Sequence, residues 1–258
     1  MKKVWLTLRS LILWAISGAH FGIVCTFLVF LGIFIDPRKN DWPQRVFFRN
    51  ILRFAGVRFE VRRAPGFDPK RTSIFICNHV NIFDPFVIYS AIPQFVRGFE
   101  LESHFRVPIY GWMMGRFGNI PVPDARSREG IERMSRKAKE ALDSGISLIA
   151  FAEGSRTRDG HVQRFHKGVF RLAQRFGTPI VPMSIVGSYQ FFQTGNWMLH
   201  PGKITVYLHD TIETADVERA DVNQLAERVR NIIGEPVEES LKSVYTTSQA
   251  SSVEQTGA

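Results

Sequence analysis

The residues best suited to chemistry fall in two short stretches. The first is Asn78-His79-Val80-Asn81-Ile82-Phe83-Asp84-Pro85. An imidazole titrates near neutral pH, so His79 can take a proton from an attacking hydroxyl, provided a partner fixes its tautomer and stabilises its cation. Asp84 can fold back to be that partner. The same Asp, followed by Pro85, also reads as the cap of a helix, and both readings stand at this point. The second stretch is Phe151-Ala152-Glu153-Gly154-Ser155-Arg156, trailed by Arg158, Arg164 and Lys167. Glycine lets a ligand approach the backbone, and Arg156 presents a planar fork that matches phosphate. The plainer alternative is a charged loop with Arg–Glu surface pairs of little energetic weight.

Both stretches follow apolar runs, 73–77 and 147–151, that read as buried strands. Ligands of α/β sheets gather outside the carboxyl ends of such strands. Further strands are predicted at 57–62, 95–99, 119–122, 180–186 and 203–208, and helices at 84–89, 106–117, 127–143, 168–176 and 222–233. The alternation predicts an α/β fold: a layered domain with a mixed, largely parallel sheet flanked by helices. The stretch 243–258 is small, polar and rich in Ser, Thr and Gln, and is expected to be a disordered tail.

Residues 1–56 read as membrane-anchoring and interfacial helices ahead of a domain over 57–242. From Ser10 to Ile35 there is no Lys, Arg, Asp or Glu. As a helix this run would extend about 39 Å, longer than the hydrocarbon layer of about 30 Å and longer than a secretory signal core. Basic residues flank both ends (Lys2, Lys3 and Arg9; Arg38, Lys39 and Arg45), so charge does not choose an orientation, and the segment either crosses or re-enters. His20 is its one ionisable residue and reads more readily as a neutral contact than as part of a pathway. In 41–56, Arg45, Arg49 and Arg53 recur every four residues opposite Phe47, Ile51 and Phe54, the pattern of a basic amphipathic helix at a membrane interface.

The formal net charge is +9, yet residues 1–63 hold 11 Lys/Arg against 3 Asp/Glu, leaving a balance of +1 for the rest. This collar suits an anionic membrane surface and argues against nucleic acid as a partner. Two cysteines, Cys25 and Cys77, in apolar contexts suggest neither a disulfide framework nor a metal knuckle. No phosphate-loop signature of nucleotide triphosphatases appears. A zinc site from His79, His161 and His166 lacks ligand-pair spacing. A covalent route through Cys77 runs against the usual inertness of buried thiols.

Four ordered blocks carry a resemblance: Asn78-His79 with Asp84; Phe151-x-Glu153-Gly154-Ser155-Arg156; Phe165-x-Lys167-Gly168; and Thr178-Pro179-Ile180-Val181-Pro182. Together, over about 72–208, the chain resembles the glycerolipid acyltransferase family, most closely the 1-acylglycerol-3-phosphate acyltransferases. The resemblance implies His79 as general base and Asp84 as its partner. It implies Asn78, Glu153, Gly154, Ser155, Arg156, Lys167 and Gly168 as substrate-binding positions, and Pro182 as shaping the pocket. Residues 107–120 resemble a further block tied to acceptor binding. The implied reaction moves a fatty acyl group from acyl-CoA or acyl carrier protein to the free hydroxyl of lysophosphatidic acid, with membrane lipids as partners and no metal or other cofactor. The implied location is a bacterial inner membrane with the site on the cytoplasmic side. Another lysolipid acceptor, such as lyso-ornithine lipid, and a non-enzymatic membrane-binding protein are the alternatives. Four departures bear on the acceptor: Asn81 stands where Ser is common, Ala152 where Pro is usual and Glu102 where many relatives have Lys. Asp124 and Arg126 are not contiguous.

Overall fold

The computed structural model describes residues 2–36, 41–125 and 127–256; Arg38, Lys39 and Arg126 lie outside them. The chain opens with helices α1 (Lys2–Phe34) and α2 (Trp42–Phe54). There follow β1 (Arg58–Arg63), β2 (Ile74–Cys77), α3 (Asp84–Ala91), β3 (Val96–Leu101), α4 (Tyr110–Arg116), β4 (Ile120–Val122), α5 (Arg128–Asp143) and β5 (Ser147–Phe151). The last elements are α6 (Gly168–Phe176), β6 (Ile180–Val186), the single turn α7 (Ser188–Phe191), β7 (Lys203–Leu208) and α8 (Val222–Thr256).

The seven strands form one sheet in the order β1-β7-β6-β2-β5-β3-β4. Every pairing is parallel except β6 with β7, so the sheet is mixed and largely parallel, as the alternation predicted. β2 is fully buried at the centre, in keeping with its uninterrupted apolar run. One apolar layer, including Phe47, Phe75, Val87, Ile88 and Phe191, joins α1, α2 and α3 to one face of the sheet. A second, including Ile74, Leu148, Phe170, Val229 and Ile233, joins α5, α6 and α8 to the other.

The expected helix over 106–117 is divided. A 3-10 turn spans Glu102–Arg106, and α4 begins at Tyr110. Pro108 disfavours helical backbone at Val107, which is extended. Ile109 then adopts φ 66°, and the Tyr110 N–H donates to the Pro108 carbonyl at 2.7 Å, closing a strained γ-turn. α8 runs to Thr256, through the stretch expected as a disordered tail; its Ser, Gln, Ala and Glu residues contain no helix-breaking Gly or Pro after Pro236.

Helix α1 is long and apolar enough to cross a membrane, but it has two distinct faces. Ser10, Ser17, Cys25 and Leu28 are buried against the domain. Trp5, Leu8, Ile12, Ile16, Ile23, Phe27, Phe30 and Phe34 form an exposed apolar stripe at helical spacing. The docked face is held near both ends: the Leu199 N–H donates to Ser10 Oγ at 3.1 Å, and the Arg116 guanidinium donates to the Gly32 carbonyl. His20 lies between Phe47 and Phe54, with ring centroids 5.2 and 5.0 Å away. In α2 the expected three-arginine face is broken. Arg45 turns inward to Asp41 and the Ile92 carbonyl, while Arg49 and Arg53 remain exposed beside Trp42 and Val46.

Candidate active site

Strands β2 and β5 end level, with Cys77 opposite Phe151, and β6 runs parallel to β2 on its other side. The loops leaving these three carboxyl ends therefore meet. The loop after β2 carries His79, whose Nδ1 lies 2.9 Å from Asp84 Oδ2. Its ring stacks on Phe151 with centroids 3.9 Å apart, and Nε2 has no partner among the described residues. Asp84 is wholly buried.

Asp84 opens α3 but does not cap it: the cap position is Phe83, and no side chain closes the first turn. The carboxylate points back instead. Oδ2 also accepts the N–H groups of Val80 at 2.5 Å and Asn81 at 2.9 Å, and Oδ1 accepts the Ser188 hydroxyl at 2.9 Å. Its four donors hold the charge in place, and only an Nδ1–H tautomer of His79 can donate to it. The basic Nε2 is thereby directed outward, the arrangement a general base needs.

The flanking asparagines brace this loop. Asn78 exchanges two hydrogen bonds with the Ile185 backbone, 3.0 Å to its carbonyl and 2.8 Å from its N–H, extending β2 onto β6. Asn81 is fully buried. Its Oδ1 accepts the Phe83 N–H at 2.9 Å, and its Nδ2 reaches the Ser188 carbonyl and hydroxyl and the Phe192 carbonyl, each at 2.9 Å. The departure from Ser at this position thus gives a longer side chain that fastens the loop to the segment after β6. No motif signalled Ser188, because its partner Asp84 lies 104 residues away in sequence.

The second stretch leaves β5. Glu153, implied as substrate-binding, is turned inward and 4% exposed. Oε1 accepts the His79 N–H at 2.7 Å, and Oε2 accepts the Gln163 N–H at 2.9 Å. Burial raises its pKa above the ordinary carboxylate value, and the two backbone donors offset only part of that rise. The Thr157 N–H returns a bond to the His79 carbonyl at 2.9 Å. Gly154 has φ 72°, and a Cβ there would stand 2.7 Å from the His166 ring, so this tight turn requires glycine. Ser155, Arg156 and Gly168 are exposed and Lys167 is half-buried. Among the described residues, none of Arg156, Arg158, Arg164 and Lys167 has an ion-pair partner. Lys167 stands at the N-cap position of α6 without a side-chain capping bond, and Gly168 is the helix's first residue.

Other expected positions serve the scaffold. Pro182 lies on β6 opposite Ile76. The Asn119 carboxamide oxygen accepts the Gly98 N–H at 2.6 Å and the Tyr89 hydroxyl at 3.2 Å. Asp124 accepts both the N–H and the hydroxyl of Ser103. Glu102 holds Arg133 through both oxygens, at 3.0 and 3.2 Å. Cys77 is fully buried. Burial first, then the nearby charges of Asp84 and Glu153, push its thiol well above the usual range. Among the described residues no three His, Cys, Asp or Glu side chains gather to hold a metal ion; His161 pairs with Glu238 at 2.8 Å.

A family model described as Acyltransferase matches residues 58–186, which is 129 of 258 residues, or half of the chain. The chain is 29% identical over 228 residues to the chloroplastic 1-acyl-sn-glycerol-3-phosphate acyltransferase LPAT1 of Arabidopsis thaliana, covering 84% of this chain and 62% of that protein. It is 29% identical over 163 residues to the chloroplastic 1-acyl-sn-glycerol-3-phosphate acyltransferase BAT2 of Brassica napus, covering 63% and 45%. The similarity to the Pseudomonas aeruginosa 1-acyl-sn-glycerol-3-phosphate acyltransferase is 22% over 185 residues, 72% of this chain and 71% of that one. The chain spans roughly half of the plant proteins' length, 45% to 62%. The fold is shared with the crystal structure of the LPA acyltransferase PlsC from Thermotoga maritima, at TM-score 0.75 and 22% identity, over 93% of this chain and 97% of that one.

Proposed function

Because the chain belongs to the acyltransferase family, we propose that it is an O-acyltransferase acting on the free hydroxyl of a lysophospholipid, lysophosphatidic acid first among them, to give phosphatidic acid. The observation that carries the reading is His79 Nδ1 held at 2.9 Å by a fully buried Asp84, with Nε2 left open. Nε2 takes the hydroxyl proton as the oxygen attacks the acyl thioester, and Asp84 stabilises the imidazolium that forms. The tetrahedral oxyanion then collapses, the thiolate leaves, and His79 returns the proton to it. Arg156 and Lys167, with Arg158 and Arg164, supply the cations, without ion-pair partners among the described residues, that bind the acceptor phosphate and position its hydroxyl. Glu153 contributes by bracing the two loops. A carboxylate turned on a phosphate would repel it, and both its oxygens are occupied by backbone donors. The thioester donor is acyl-CoA or an acyl carrier protein.

Residues 1–56 form the membrane-binding part and 57–242 the catalytic domain. Helix α1 lies flat along the domain, with its exposed stripe sunk into one leaflet. A crossing helix would carry the loop docked at Ser10 and the Arg116 guanidinium docked at Gly32 into hydrocarbon. This arrangement suits the cytoplasmic face of a bacterial inner membrane. A second reading, transfer to a different lysolipid, is favoured by Glu102: it stands where many relatives have Lys and is tied to Arg133.

The test is transfer of labelled oleoyl thioester, on CoA or on carrier protein, to a panel of lysolipids by membranes holding wild type or His79→Ala. The expected result is His79-dependent product with lysophosphatidic acid. Product with another lysolipid alone moves the acceptor to the second reading, and equal turnover by His79→Ala refutes the mechanism.

A further inference from the structure

We propose that the segment 188–199 is a strut coupling the lipid-facing helix α1 to the His79–Asp84 pair, with Ser188 and Trp14 as positioning residues at its two ends. The inference rests on the functional reading above, because it assigns a role in the same chemistry.

At the catalytic end, the segment contacts the His79 loop at three successive points. Among the described residues the Ser188 hydroxyl is the sole donor to Asp84 Oδ1, at 2.9 Å. It accepts in turn from Asn81 Nδ2 at 2.9 Å, so a polarised chain runs from Asn81 through Ser188 to Asp84 and His79. The Phe192 carbonyl receives Asn81 Nδ2, and the Thr194 hydroxyl donates to the Val80 carbonyl at 2.9 Å. Ser188 is fully buried, so water does not replace its hydroxyl without rearrangement.

At the other end the same segment is fastened to α1. Trp14 Nε1 donates to the Trp197 carbonyl at 2.7 Å, and Ser10 Oγ accepts the Leu199 N–H. The Trp14 ring also meets Phe83 and Phe192 at 5.6 Å each. Phe83 immediately precedes Asp84, and it packs on Phe191 at 5.0 Å and on Phe192 at 5.9 Å. One indole on the helix that carries the exposed apolar stripe thus bears on the catalytic loop and on the strut together. Docking of α1 at the bilayer and the placement of Asp84 share one set of contacts.

The experiment uses full-length wild type, His79→Ala, Ser188→Ala, Ser188→Thr, Trp14→Phe, Trp14→Ala and Ser188→Ala/Trp14→Ala on vesicles of phosphatidylethanolamine and phosphatidylglycerol. Lysophosphatidic acid and oleoyl-CoA are the substrates, with melting temperature and vesicle pelleting measured alongside. Ser188→Ala lowers kcat about tenfold, the scale of one hydrogen bond to a charged group, with KM for the lysolipid unchanged, and Ser188→Thr recovers most of the loss. Trp14→Ala lowers kcat at unchanged pelleting, and Trp14→Phe, which keeps the ring contacts, loses less. The double variant falls by less than the product of its two single losses, because both act through one strut. Unchanged kcat in Ser188→Ala, or losses that multiply independently, overturns the coupling while leaving the His79 dependence intact. Full activity in His79→Ala instead overturns the functional reading and the strut's role with it.

Discussion

Replacing Asp84 tests the site most sharply, because Asn and Ala should fail in different ways. Oδ2 accepts three donors, from His79 Nδ1 and the N–H groups of Val80 and Asn81, and Oδ1 accepts one, from Ser188. Asp84→Asn can keep an oxygen at the Oδ2 position and so retain the loop. It loses the charge, and with it a charge-assisted bond of about 1.5–3 kcal/mol. At about 1.4 kcal/mol per tenfold, kcat should fall roughly 10- to 150-fold with little change in KM or melting temperature. Asp84→Ala leaves two backbone N–H groups without their acceptor in a site with no exposure. At about 1–3 kcal/mol each, the cost is about 2–6 kcal/mol. At roughly 2–4 °C per kcal/mol for a chain near this size, the melting temperature should drop by about 4–24 °C. Calorimetry and steady-state transfer on vesicles read both quantities. An Ala variant as stable as wild type would refute the account of the buried acceptor. An Asn variant with wild-type kcat would refute Asp84 as the imidazole's partner.

Cys77→Ala should keep transfer within about twofold and cost about 1 kcal/mol of stability, as for a small buried side chain. Abolished turnover in a folded Cys77→Ala protein would revive a covalent route. His209 donates through Nε2 to Ser184 Oγ at 2.8 Å, because that hydroxyl spends its proton on the Ile233 carbonyl. Burial lowers the His209 pKa below 6.5, against the raising influence of Asp210 and Glu235. A depressed histidine contributes stability above its unfolded value that is lost as pH falls through its folded value. Urea midpoints measured downward from about pH 7.5 should therefore decline more steeply for wild type than for His209→Gln; parallel declines would contradict this.

Much of the fold was legible because period and burial agree. The apolar runs at 73–77, 147–151 and 180–186 became the three central strands, and the amphipathic run 127–143 became α5. The His79–Asp84 pairing was legible as a possibility, and the structure decides it against helix capping by turning the carboxylate back onto the loop. What escaped depends on long-range geometry. Ser188 carries no local signal, since its meaning comes from Asp84 across the sheet. The inward turn of Glu153 depends on the His79 N–H supplied by the loop after the neighbouring strand β2. The break at Ile109 hung on a γ-turn that periodicity does not register. Helix α8 continues through 243–256, where the polar composition suggested disorder and no Gly or Pro interrupts the run.

The departures from the family's blocks acquire a physical meaning once the site is divided by origin. The acid–base face is built on the loop after β2 and secured by Asn78, Asn81 and Ser188. The cationic face is built on the chain between β5 and α6. The two faces are joined by the Glu153 carboxylate and by the bond from Thr157 N–H to the His79 carbonyl. Ala152 takes part through its backbone, with its carbonyl accepting the His166 N–H at 2.7 Å, while its small side chain is buried in the second apolar layer. Asn81 keeps its place by saturating its hydrogen bonds, and Glu102, directly after β3, is taken up by Arg133. On this construction the catalytic pair tolerates no exchange, and any difference between this chain and its relatives should show in the acceptor panel and not in the dependence on His79.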